Sequence, residues 1–170
     1  MKPNHKNGLL AAATIALTLF AGQAFAAGTV IKVSLWDKGA MSLGMISKGP
    51  MMGMAMGSPG SAVPMGPMCI KVSIRSVKAG PVTFDVTNAS QQLVHEMVLS
   101  PVKSEKTPLP YDKAQQKVDE DAAGHLGEVA ELEPGKSGAL TVDLKPGKYI
   151  LYCNIPDHYV LGMWTLITVK

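Results

Sequence analysis

The chain has 170 residues, 46% of them hydrophobic, and its 16 basic side chains against 13 acidic ones give a net charge of +3. A balance so near neutrality excludes the strongly basic footprint of nucleic-acid binding and the polybasic patches that hold proteins to membrane surfaces. The length suits one domain with a sizeable core, and two cysteines are too few for a disulfide-built scaffold.

Residues 1–26, "MKPNHKNGLLAAATIALTLFAGQAFA", are built like an export signal. Lys2 and Lys6 supply a positive start, Gly8 to Gly22 an uncharged apolar run, and Ala24-Phe25-Ala26 a small-x-small cleavage site. The run falls short of the ~20 residues a spanning helix needs, so no stable membrane insertion is expected. The mature chain, residues 27–170, is expected to be a single domain in the periplasm and a monomer. Next, "TVIKVSLWDKG" sets Ile31, Val33 and Leu35 against Val30, Lys32 and Ser34, the alternation of a strand. Residues 41–68 then break every pattern with Gly and Pro, and read as a loop or insertion. They hold Met41, Met45, Met51, Met52, Met54, Met56, Met65 and Met68, most of the 11 methionines in the chain.

Regular patterning resumes at Cys69. "CIKVSIRSV" reads as one strand with Ile70, Val72 and Ile74 on a common face, Lys78-Ala79-Gly80-Pro81 as a turn, and "VTFDVTN" as a strand with Val82, Phe84 and Val86 together. "LVHEMVLSPV" gives another. The polar stretch from Pro110 to Leu132 carries a thin stripe of Tyr111, Ala114 and Val118 that predicts a short surface helix. Turns at Pro134-Gly135 and Pro146-Gly147 bracket "ALTVDL" and "KYILYC", and "MWTLITVK" ends the chain. Short strands separated by Gly and Pro turns, with one helical excursion, predict an all-β Greek-key sandwich or barrel.

Chemistry concentrates in "YCNIPDHYVLGM", residues 152–163. Cys153 ends a strand, His158 sits in the following loop and Met163 opens the last strand, so one end of the hairpin can turn all three inward. His95 is the best further partner, because it lies on an apolar strand where an imidazole without a partner is costly. Two imidazoles, a thiolate and a weak thioether suit copper, whereas zinc would take another Cys, His or carboxylate. Such a site suits neither Cu(II) nor Cu(I) exclusively, so an electron can come and go with little movement. A disulfide between Cys69 and Cys153 would exclude the metal reading, since a bridged sulfur is no thiolate. Cys69 is expected to be a free buried thiol, and His125 a solvated loop histidine, with copper ligation the lesser alternative. Met97 and Trp164 are read as core, and Asp119, Glu120 and Asp121 as a solvated run.

The loop closely resembles the copper loop of the cupredoxins, the family of plastocyanin, azurin and rusticyanin. The resemblance runs from Thr29 to Lys170, interrupted by the Met-rich segment. It implies one type 1 copper site with Cys153, His158 and Met163 as loop ligands and His95 as the upstream histidine. Two departures stand out. The spacing C-x4-H-x4-M has one residue more before the methionine than the azurin loop, and Glu96 follows His95 where several members carry Asn or Ser. Multicopper oxidases and copper nitrite reductases share the fold but flank this cysteine with histidine. Tyr152 and Asn154 stand there instead, so no enzyme is implied. The expected function is one-electron transfer between redox partner proteins that dock near an exposed edge of His158. The alternative is copper sequestration or delivery to copper-handling proteins, for copper tolerance, with residues 41–68 holding additional Cu(I) through thioethers. Those methionines could equally serve as an adaptable cover for the sandwich edge.

Overall fold

A computed structural model of the chain describes residues 28–39, 67–104 and 108–170. The proposed export signal and all of the Met-rich segment except Pro67 and Met68 lie outside these residues. Two sheets face each other. The first runs β2 (Met68–Val72), β1 (Thr29–Asp37), β4 (Gly80–Asn88), β9 (Ser137–Leu144). The second runs β3 (Ser76–Val77), β11 (Trp164–Val169), β10 (Gly147–Tyr152), β5 (His95–Pro101), β8 (Gly127–Leu132). The β1–β4 and β3–β11 pairs are parallel and the others antiparallel. The all-β sandwich expected from the alternating runs is the observed architecture.

Alternation explains which faces meet. In β1, Ile31, Val33 and Leu35 are buried while Val30 and Lys32 are exposed. They join Val82, Phe84 and Val86 of β4, Met97 and Leu99 of β5, Leu151 of β10 and Ile167 of β11 in the main core. The second sheet is covered on its outer face as well, by a separate cluster of Val98, Leu109, Val118, Ala123, Ile150, Tyr152, Tyr159 and Trp164. Burial on both faces is why "YILY" and "HEMVLS" lack alternation.

Two local expectations are corrected. The run from Cys69 is broken after Val72, because the chain changes sheets there. The Ser73 N–H donates to the Lys32 carbonyl in the first sheet, and the Thr168 N–H donates to the Arg75 carbonyl in the second. Ile74 lies at that corner, 42% exposed, and shares no inner face with Ile70. Similarly, the stripe of Tyr111, Ala114 and Val118 does not lie on a helix. Asp112 Oδ1 accepts from the N–H groups of Ala114 at 2.7 Å and Gln115 at 3.2 Å, and Gln116 takes a left-handed φ of 57°. That turn folds β6 (Tyr111–Asp112) back on β7 (Lys117–Val118). One helical turn follows, α1 (Glu120–Ala123), capped by Asp119 and stopped by Gly124 in the left-handed region, and then the strand β8. The helix that competes here is defeated by local side-chain hydrogen bonds that a hydrophobic stripe does not reveal.

Candidate metal centre

Three segments build the centre. His95 is the first residue of β5, Cys153 directly follows β10, and His158 sits in the loop that returns to β11. That loop is tightly closed. The Cys153 N–H donates to the Met163 carbonyl and the Met163 N–H to the His158 carbonyl, both at 3.0 Å. Asp157, with φ 68°, makes the sharp turn just before His158. Asn154 ties the loop outward: its Oδ1 accepts from the Val118 N–H at 2.6 Å, and its Nδ2 donates to the Val118 carbonyl and to Glu120 Oε1 at 3.0 and 2.7 Å. The excursion between β5 and β8 therefore serves as a brace for the loop.

The geometry converges on one point. His95 Nδ1 lies 3.2 Å from His158 Nδ1, and Cys153 Sγ lies 3.9 Å from the first and 3.3 Å from the second. These three, all buried, form one of two groups of potential ligand atoms found among the described residues. With bonds of about 2.0 Å to nitrogen and about 2.3 Å to sulfur, trigonal ligands would stand about 3.5 to 3.7 Å apart. The observed triangle is within a few tenths of an ångström of that size, so the donor set fits a single first-row ion of borderline softness. Met163 is fully buried in the main core beside this loop.

Electrostatics prepare the donors. Burial pushes the Cys153 thiol up to about 12, while N–H groups of Glu96 and Ile155 favour its thiolate; the Glu96 N–H stands 3.4 Å from Sγ. Burial also lowers His158 to about 4, with neighbouring His95 adding to the shift and Asp37 opposing it. His95 is lowered too, because burial outweighs the pull of Asp37. Both imidazoles therefore offer neutral nitrogen at neutral pH, and a metal must displace the thiol proton. Glu96, 7% exposed, is raised to about 7, by burial first and then by Glu128, Glu120 and Glu131 against the opposing charge of Lys117.

The sequence reading brought together His95, Cys153 and His158 but missed Asp37. Its Oδ2 accepts from His95 Nε2 at 2.8 Å, and its side chain is 1% exposed. The only signal in the sequence was an acidic residue closing an otherwise amphipathic strand. A further correction concerns His158, whose expected exposed edge is nearly covered at 3% exposure, because residues 155–162 wind around it. Cys69 is free and half-buried, opposite Trp36, and Cys153 is also free, so no disulfide competes for the thiol. Met97 and Trp164 lie in the two cores as expected. His125 is exposed and forms the second group with Glu120 and Glu128, of which Glu120 is already bound by Asn154.

The profile of copper binding proteins of the plastocyanin/azurin family matches residues 63–170. The chain belongs to that family. This cupredoxin superposes on auracyanin A, a "blue" copper protein from Chloroflexus aurantiacus, with a TM-score of 0.52 and 17% identity over 85% of this chain and 100% of that one. For reduced rusticyanin the TM-score is 0.50 and the identity 17%, over 85% of this chain and 82% of that one. At such identities the likeness speaks for the fold. No curated protein sequence matches the chain. Among the described residues, no helix is long and apolar enough to cross a membrane. Membership places this cupredoxin with copper-dependent electron-transfer proteins rather than enzymes, and it implies one type 1 copper site with His95, Cys153 and His158 as candidate ligands.

Proposed function

We propose that this protein is an exported one-electron carrier in which His95, Cys153 and His158 would hold a single copper, with Met163 as a further, weak ligand. The observation that carries this reading is the convergence of two imidazole nitrogens and one thiol in a buried triangle closed by the cupredoxin loop. Bound copper would supply a single-electron couple. The chain's own part is to present Nδ1 of both histidines, to release the Cys153 proton, to stabilise the sulfur charge with the Glu96 and Ile155 N–H groups, and to keep water out with core side chains such as Leu161 and Met163. The arrangement of residues 1–26 supports export to the periplasm, and residues 27–170 would then form one domain. Redox partner proteins would exchange the electron across the residues that cover His158.

The test is the visible spectrum of the copper-loaded mature protein. An intense thiolate-to-copper band at one copper per chain is expected, and Cys153→Ser should abolish it. A variant that kept the band would sink the thiolate assignment.

One observation favours a second role in copper capture or delivery. The Lys38 N–H donates to the Pro67 carbonyl at 2.9 Å and Asp37 pairs with Met68, so the chain leading into the Met-rich segment and the residues that close it meet beside the residue that holds His95. Thioethers favour Cu(I). Replacing residues 41–66 with a Gly/Ser linker should remove extra Cu(I) equivalents and leave the visible band. Unchanged Cu(I) stoichiometry would leave electron transfer as the sole function.

A further inference from the structure

We propose that Asp37 is a positioning residue for the metal, which fixes His95 in one tautomer and tunes the copper toward its oxidised form through that imidazole. The inference rests on the copper reading above. Its geometric basis is the opposition of the two ring nitrogens of His95: Nε2 faces the Asp37 carboxylate at 2.8 Å while Nδ1 faces His158 and Cys153. A carboxylate can only accept there, so the proton must sit on Nε2 and the lone pair on Nδ1 points into the triangle.

The carboxylate is itself held. Its Oδ1 accepts from the Gly39 N–H, and the Ser90 hydroxyl donates to it as well. Ser90 is in turn set by the Asn88 side chain, whose Oδ1 accepts from the Ser90 N–H at 2.9 Å, and Ser90 Oγ accepts from Gln92 and Leu93. Asn88 and Ser90 are both buried. Satisfying one Nε2–H needs no charge, since a carbonyl or amide oxygen would do. A buried anion does more: it makes the imidazole a stronger donor and places negative charge one ring away from the metal. Both effects favour Cu(II) over Cu(I), so they lower the reduction potential.

Asp37→Asn separates the charge from the hydrogen bond, because the amide oxygen can still accept from Nε2. With Cu(II) as the probe, the variant should keep the thiolate band and raise the potential by at least a tenfold change in the Cu(II)/Cu(I) affinity ratio, about 59 mV for one electron. In the metal-free wild-type protein, nitrogen NMR of His95 should show the proton on Nε2. An unchanged potential in a folded, copper-loaded Asp37→Asn protein overturns the tuning role, and a proton on Nδ1 of His95 overturns the positioning role. If Asp37→Asn does not fold, the wild-type tautomer decides alone. A wild-type protein without the thiolate band would overturn the copper reading instead and leave the tautomer as the measure of Asp37's hold on His95.

Discussion

Glu96 is a carboxyl group where carboxylates are costly, next to His95 and buried to 7% exposure. Its folded-state value, raised from 4.5 to about 7, means that the native chain binds its proton more tightly than the unfolded chain does. The contribution to stability is present in full below pH 4.5 and is lost as pH rises through about 7. Glu96→Gln removes this loss. In metal-free protein, the stability of the variant relative to wild type should climb between those limits and then level off, by up to about 3 kcal/mol at about 1.4 kcal/mol per pKa unit. Paired urea titrations across the range measure the difference. The depressed His158 works in the opposite direction below pH 6.5, but it is common to both proteins and cancels in the comparison. At this scale the cluster of His95, Cys153 and His158 was legible, because Cys and His in close succession are rare chemistry, and an imidazole on an apolar strand calls for a partner. Asp37 was not, since a lone aspartate at a strand end looks the same whether it meets solvent or a histidine from 58 positions away.

Among the elements, the short excursion of β6, β7 and α1 does more than fill space. It covers the outer face of the second sheet and clasps the 153–163 loop through Asn154, through the Asp157 N–H to the Gln116 carbonyl at 2.8 Å, and through the Leu109 N–H to the Tyr159 hydroxyl at 3.1 Å. Asn154 imitates a strand residue, since one amide pairs with both backbone groups of Val118. Asn154→Ala strands that buried N–H and carbonyl, and should lower stability by about 2 kcal/mol or more. The thiolate-to-copper band should persist, with faster loss of copper to a chelator. Thermal unfolding and timed chelation check both halves. Strands with one buried face were readable from alternation, as β1 and β4 demonstrate. The excursion was not, because Asp112 and Asn154 settle it by side-chain hydrogen bonds, one of them spanning 36 positions.

For the whole molecule, the two sheets enclose one core of apolar side chains and a second covers the outer face, so the sandwich is expected to hold without a metal. Copper bound to the native state alone raises apparent stability by mass action. Its removal should therefore leave the β-sheet circular dichroism intact while lowering the melting temperature, and a calorimetric scan of loaded and stripped protein tests this. A stripped chain that loses its sheets would mean that the metal is part of the fold. The sandwich was legible because strand alternation and Gly-Pro turns are local signals, whereas the parallel pairing of β1 with β4 joins residues that the Met-rich segment separates. The burial of His95, Cys153 and His158 finally divides what can visit the centre by the time each visitor needs. An electron can cross packed side chains without displacing an atom, whereas a chelator, or dioxygen, must wait for the loop to part. A copper held there would leave no faster than residues 153–163 open, so the same closed loop could pass charge many times within the lifetime of one captured ion.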